Sequence, residues 1–268
     1  MRIIYYRSIS RKIIFSFLPL IITIIVVISS IFYFTFVESM EAQIIDDTQQ
    51  IINSISSIID LYFTDLKTPM AVLAQNPTVI SALESYTTST TKEKLEMDRN
   101  IEIATSNIVV FKEYIGDIII ISNNGFVKNL PYSTSLIPGY DFFSKPWFAE
   151  AINGTDNKIV YIPTHDCDYY YADNKLYDRT VSAIIPVINE SNRRVGYIIS
   201  DINFSRMNKF FLESELDNEG FVCMLDEAGR NVFHPDSSKI GQYNNDTVTR
   251  SISANSSGHM VVSQHDIP

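Results

Sequence analysis

The chain has 268 residues, 46% of them apolar and 19% charged, with 21 Lys and Arg against 31 Asp and Glu for a formal net charge of −10. That length suggests one or two domains with a real core, and the acidity beyond the first segment argues against nucleic acid or anionic lipid as partners, because both would be repelled. Two cysteines, Cys167 and Cys223, exclude a disulfide scaffold by count; they set a maximum of one bridge and read as two thiols.

The basic residues open the chain: Arg2, Arg7, Arg11 and Lys12 precede residue 13, and no acid comes before Glu38. Ile13 to Phe36 then runs 24 residues without a charge. As a helix at about 1.5 Å per residue it would be about 36 Å long, enough to cross a hydrocarbon core of about 30 Å with some tilt. Pro19 is a kink that membrane helices tolerate, and Phe32, Tyr33 and Phe34 stand where an aromatic belt belongs. A cleaved signal peptide has a shorter apolar region and a small-residue cleavage site. This run is longer and reads straight into another helix, so an uncleaved anchor in the cell membrane is expected. Positive charge before the span and acidic charge after it place residues 1–12 in the cytoplasm and residues from about 37 onward outside.

Beyond the span, Val37, Met40, Ile44, Ile51, Ile55, Ile58, Tyr62 and Leu66 recur at steps of three, four or seven. They form one apolar seam on a helix whose other faces carry Glu38, Glu41, Asp46 and Asp47. This stalk is expected over residues 37–75, kinked near Pro69, packing on its own domain and on a second copy as a homodimer. A polar stretch, Ser85 to Thr91, precedes a second helix from about Lys92 to Tyr114. The period then changes to strand, turn, strand: Asp117 to Ser122, Asn123-Asn124-Gly125, and Phe126-Val127. A short helix, Ser144 to Asn153, carries the chain's only tryptophan, Trp147. Strands are predicted at Lys158 to Ile162, Thr180 to Ile188 and Gly196 to Ile202, the last two joined as a hairpin by Asn189 to Arg194. After a connecting helix, Ser205 to Leu216, a similar pattern returns: Gly220 to Leu225, a turn at Asp226 to Gly229, and Arg230 to His234. The reading is an α+β fold: a transmembrane helix, a long stalk helix and two stacked antiparallel-sheet units, 76–204 and 205–268. The second is thin for a core of its own and is expected to stop short of its last strands.

Trp147-Phe148 with Ala151, Val181 to Val187, Gly196 to Asp201 and Phe221 to Gly241, in that order behind a membrane helix and a long helix, resemble a known family. It is the double Cache (dCache, tandem PAS-like) sensor region of bacterial transmembrane receptors, and the resemblance covers nearly the whole chain. It implies a small-molecule pocket in the membrane-distal unit and an output beyond a second membrane helix. That output is the histidine kinase of a two-component system in the first reading and a methyl-accepting chemoreceptor in the second; neither is in this sequence. One branch, similar to amino-acid and amine sensors, has a Tyr, four residues, an Arg, one residue and Trp-Tyr, then a Tyr-x-Asp and an Asp in the last strand. Tyr140, Lys145, Trp147 and Phe148 fall on that run, Tyr161 is the nearest later Tyr, and Asp201 is the final Asp. Lys145 stands in place of Arg, Phe148 in place of Tyr, and Pro163 falls where the middle Asp would be.

A small zwitterion such as an amino acid needs an aromatic wall, a cation for its carboxylate and an anion for its amine. Tyr140, Trp147, Phe148 and Tyr161 are the expected wall, Lys145 the cation and Asp201 the anion. Tyr169 to Tyr171 are expected to reach the ligand, Tyr169 first among them, from a loop, Thr164 to Asp173, over the pocket mouth. The bland readings stay open beside these: Trp147 and Phe148 as plain core, Lys145 as a solvated side chain, Asp201 as a helix cap, and 164–173 as a surface loop. His165 and Cys167 match no standard metal spacing, so neither a metal nor another cofactor is expected. Catalytic motifs such as a P-loop, G-x-S-x-G or H-E-x-x-H are missing, so the chain reads as a sensor and not an enzyme. A membrane-tethered extracellular enzyme or adhesin is the alternative of another class.

Overall fold

The computed structural model describes residues 3–111, 115–130, 135–153, 158–171, 179–202, 222–226 and 229–244. The chain parts into two compact units, Met1–Ser54 and Ile55–Pro268. Helix α1 runs Ile3–Ala74, through both Pro19 and Pro69. In the first unit every large apolar side chain from Ile13 to Phe36 is exposed, on a helix long and apolar enough to cross a membrane. Along the expected seam, Met40 and Ile44 are exposed in the first unit, whereas Ile55 and Leu66 are buried in the second, followed beyond the seam by buried Met70 and Leu73. Packing on its own domain therefore accounts for the later part of the stripe.

After α1 comes a helix the sequence reading omits, α2, Pro77–Ser85. Nine residues are too few for a periodicity window, but its start is written locally. Asn76 accepts from the Thr78 amide at 2.9 Å, and Pro77 takes the first helical position, where no N–H is needed. Helix α3, Thr91–Phe111, opens on a reciprocal capping box: the Thr90 amide donates to Glu93 at 2.8 Å, and the Glu93 amide points back at the Thr90 hydroxyl.

The main sheet contains β1 (Ile115–Ser122), β2 (Val127–Leu130), β3 (Val160–Asp166), β4 (Arg179–Ile188) and β5 (Arg194–Ile202). It is antiparallel throughout, in the order β2-β1-β5-β4-β3. One face carries Ile119, Ile121, Ile162, Ile184, Tyr197 and Ile199 into a single cluster with Phe142 and with Phe148 of helix α4, Pro146–Asn153. The other face meets α2 and α3, which explains why β1 is buried at every position and reads as a continuous apolar run. The β1–β2 turn also finishes α2. Ser122 Oγ donates to the Leu83 carbonyl at 2.6 Å and Asn124 Nδ2 to the same oxygen at 3.1 Å, satisfying a carbonyl that the helix end leaves open. A second, two-stranded sheet pairs β6 (Met224–Leu225) with β7 (Asn231–Phe233). The connecting helix expected at 205–216 lies outside the described residues.

Strand β3 corrects the expected strand end at Ile162 and the expected loop from Thr164. Pro163 does not stop the strand, because β3 is an edge strand and its register shifts between Ile162 and His165, so the missing N–H costs no ladder bond. The segment that follows is not a surface loop either: Thr164, His165, Cys167, Tyr169 and Tyr170 are all buried. Cys167 and Cys223 are both free thiols.

Close packing of β5 on β1 and α2 depends on Gly196. A Cβ there would overlap the Ile121 carbonyl and press on Leu83. Gly196→Ala is expected to destabilise the chain by about 1–3 kcal/mol, as overpacking generally does, read as a lower midpoint in chemical denaturation; an unchanged midpoint would contradict this packing.

Candidate functional site

The cluster face of the sheet gathers most of the residues singled out in the sequence. Tyr169 lies 5.8 Å from Tyr140, 5.4 Å from Phe142 and 6.1 Å from Trp147, ring centroid to ring centroid. Trp147 in turn meets Phe148 edge-on at 5.8 Å. Tyr140, Trp147, Phe148 and Tyr169 thus form one aromatic body, with Phe148 and Tyr169 buried at its centre and Tyr140 and Trp147 at its rim.

Asp201 lies beneath it, inside β5 and fully buried, so it does not cap a helix. Its Oδ2 accepts from the hydroxyls of Tyr169 and Tyr170, each at 2.9 Å, and its Oδ1 from Ser182 at 2.6 Å. Burial pushes its carboxyl upward against those three hydrogen bonds. Asp117, buried at the β1 bulge, is pushed up to about 7, first by burial, with the charge of Asp201 adding to it. His165 completes the polar layer. Its Nδ1 is 3.0 Å from the Pro163 carbonyl, its Nε2 is 3.3 Å from Ser182 Oγ, and its ring stacks on Trp147 at 4.2 Å and 28°. Burial pulls its imidazole below the ordinary value. Sequence reasoning missed Asp117, His165 and Ser182 as members of this site. The available signal was a polar residue placed inside an apolar strand: Asp117 opening DIIIIS and Ser182 within VSAII.

Lys145 is taken up elsewhere. Its Nζ pairs with Asp168 at 2.7 Å and sits 4.7 Å over the Tyr140 ring, while the Tyr140 hydroxyl also donates to Asp168. Burial alone would raise Asp168, but the hydrogen bonds from Lys145 and Tyr140 outweigh it and hold the carboxyl below its usual range. The same contact, after burial, pushes the Tyr140 phenol up. Backbone bonds reinforce this clasp: Ile137 N–H to Tyr169 O at 2.9 Å and Tyr171 N–H to Ser135 O at 3.2 Å.

Tyr161 stands apart from the cluster. It points toward α1, where its hydroxyl donates to the Phe63 carbonyl at 2.5 Å and its ring meets Phe63 edge-on. With Trp147 and His165 it lines a cleft of about 530 Å³ whose charged members are Glu150, Asp166, Arg179 and Arg230. Arg179 donates Nε to Asp166 at 2.6 Å and Nη1 to the Ile240 carbonyl at 2.8 Å. Gly241, with φ of 75°, leaves room for that guanidinium where any Cβ would overlap it. Arg230 donates Nε to Asp226 at 2.8 Å. A second cleft, about 670 Å³, lies between the β1–β2 hairpin and the segment 135–143, with Asp141 the charged residue among its described lining. Charges of both signs beside an indole suit the first cleft to a zwitterion.

A family model for the Cache domain matches residues 36–266. Solved structures share the fold. The ligand-binding domain of the Pseudomonas aeruginosa PAO1 amino acid chemoreceptor PctB, in complex with L-Gln, is 12% identical with a TM-score of 0.52, covering 73% of this chain and 70% of that one. Methyl-accepting chemotaxis protein X is 10% identical with a TM-score of 0.57, covering 80% and 82%. A domain of a sensory box/GGDEF family protein from Vibrio parahaemolyticus is 12% identical with a TM-score of 0.50, covering 72% and 71%. At these identities the likeness is one of fold. No curated protein matches the chain.

The buried carboxyl of Asp117 makes stability depend on pH. Its folded-state value of about 7 lies above the ordinary 3.8, so the fold favours the protonated form. The stabilisation is complete below the unfolded value and lost as pH rises through about 7. The chain is expected to unfold at lower denaturant at about pH 8 than at about pH 5, and Asp117→Asn to remove much of that difference. Equal midpoints for the native chain at the two pH values would count against it.

Proposed function

We propose that this chain, which belongs to the Cache domain family, is the extracytoplasmic sensor region of a membrane receptor for a small zwitterionic ligand such as an amino acid. The supporting observation is the cleft between α4, β3 and the β6–β7 hairpin, with an aromatic wall of Trp147 and Tyr161 and charges of both signs along its lining. In this reading Arg230, with two guanidinium nitrogens beyond the one given to Asp226, receives the ligand carboxylate, and Glu150 receives the amine. Tyr140, Phe148 and Tyr169 support Trp147 from behind. The charged roles expected of Lys145 and Asp201 pass to cleft residues because Lys145 is bound to Asp168 and Asp201 is closed over by two tyrosines and Ser182. The L-Gln bound by the PctB domain supports the ligand class.

The remaining parts of the reading follow from sequence. Residues 13–36 cross the membrane with residues 1–12 in the cytoplasm, residues 76–204 form the membrane-distal unit and 205–268 the proximal one, and two copies pair along α1. The output we propose is a histidine kinase. A methyl-accepting chemoreceptor is the second reading, favoured by the chemoreceptor domains among the similar folds. The coding sequence downstream separates them: a phosphoacceptor helix for the first, a long methylatable coiled coil for the second.

The test is a thermal-shift screen of amino acids, amines, organic acids and sugars on the full chain in detergent. An amino acid is expected to raise the unfolding temperature. Arg230→Ala is then expected to weaken it by about 10–100-fold, the value of one charge-assisted hydrogen bond, while Lys145→Ala has little effect. Strong weakening by Lys145→Ala with none from Arg230→Ala would move the ligand out of this cleft.

A further inference from the structure

Asp201, Ser182 and His165 form a chain of groups whose protons can be counted. Ser182 has one hydroxyl hydrogen, and its oxygen lies 2.6 Å from Asp201 Oδ1 and 3.3 Å from His165 Nε2. His165 Nδ1 lies 3.0 Å from the Pro163 carbonyl. A carbonyl only accepts, so Nδ1 carries a hydrogen. If Ser182 donates to Asp201, Nε2 must also carry one, and an imidazolium faces a carboxylate through the hydroxyl. If Ser182 donates to Nε2 instead, Asp201 must be a carboxylic acid donating to Ser182. Both arrangements hold the same number of protons, one more than a carboxylate and a neutral imidazole. Without that proton, lone pairs of Ser182 and Nε2 face each other where Asp201, Ser182 and His165 are 0%, 0% and 7% exposed. An unmade hydrogen bond in such a place is costly, so the contact breaks when the proton leaves.

We propose that the Asp201–Ser182–His165 chain binds one exchangeable proton and that the domain reports external pH through it, with Trp147 the first side chain to feel the change. The surrounding groups set the balance. On the Asp201 side burial favours the carboxylic acid, as does repulsion from Asp117 on β1, while the hydroxyls of Ser182, Tyr169 and Tyr170 favour the carboxylate. On the His165 side burial disfavours the imidazolium, while Asp201, Asp166 and Asp168 favour it. Arg179 and Lys145 offset the last two through their ion pairs, and the buried Cys167 Sγ lies 3.8 Å from the Tyr169 hydroxyl. His165 also lines the charged cleft, so in the arrangement with an imidazolium the proton adds one positive charge beside the ligand and favours a carboxylate over an ammonium there. That consequence rests on the sensor reading; the proton site itself does not.

Trp147 is the chain's only tryptophan and stacks on the His165 ring, and an imidazolium in that position quenches indole emission. The full chain in detergent, excited where tyrosine does not absorb, is expected to lose emission in a single-proton step as it is titrated from about pH 8 to pH 5. His165→Gln should abolish the step and Ser182→Ala should move its midpoint, with far-UV circular dichroism confirming the fold of each variant. Deuterium exchange at the imidazole C2 position, read by mass spectrometry for the peptide holding His165, follows the same proton in the unmodified chain. Emission flat across the range together with a His165 exchange profile like that of a free imidazole, or a step that survives His165→Gln, would overturn the proposal. The ligand screen is unaffected by these outcomes, so the two readings fail separately.

Discussion

A carboxylate buried inside a β-strand is the constraint around which this domain is arranged. Removing such a charge from water costs several kcal/mol unless it is fully hydrogen-bonded. Asp201 is fully buried, and the hydroxyls that satisfy it come from two places: Ser182 on the neighbouring strand, and Tyr169 with Tyr170 from the segment after β3. Supplying those two phenols requires that segment to turn inward over the sheet instead of out to solvent. Once it does, Asp168 is carried to the rim, where it meets Lys145 and Tyr140 and closes the clasp.

The aromatic body above Asp201 therefore has two faces with different work. Phe142, Phe148 and Tyr169 are core, and the plain packing reading fits them. Trp147 sits at the edge, stacked on His165 on one side and open to the charged cleft on the other. It connects the buried polar layer with the cleft charges of Glu150, Asp166, Arg179 and Arg230. A ligand or a proton acts on such a site only through a difference in free energy between two arrangements. In the proposed readings, the donor count at Ser182 supplies one such pair, and rearrangement of the Arg and carboxylate pairs around a zwitterion supplies another.

The end of α1 is positioned to register either change. In the second unit Leu66, Met70 and Leu73 are buried, and Tyr161 ties β3 to this helix by its bond to the Phe63 carbonyl. Tyr161 also lines the cleft, so the edge strand that carries cleft residues is hydrogen-bonded directly to the helix. Arg179 makes the corresponding link on the other side, from β4 to the Ile240 carbonyl beyond the β6–β7 hairpin, in space kept by Gly241.

The sequence by itself determined whatever depends on neighbours in the chain. The apolar span from Ile13, the stripe on α1, the helix bearing Trp147, the Asn123-Asn124-Gly125 turn and the strands β1, β4 and β5 all follow from local periodicity and turn chemistry. The aromatic side chains that meet around Tyr169 came from the family resemblance instead. Short α2 escaped because its cap, Asn76-Pro77, is a local signal with too few apolar residues behind it, and the second half of β3 escaped because Pro163 breaks a strand only where its N–H is needed. Charge pairing was decided by the tertiary structure alone. Lys145 with Asp168, Arg179 with Asp166 and Ile240, and Ser182 with Asp201 join residues 13 to 61 positions apart. Long-range electrostatics and burial leave no periodic trace, so only the folded sheet could tell which cation was already taken and which cleft retained charges of both signs.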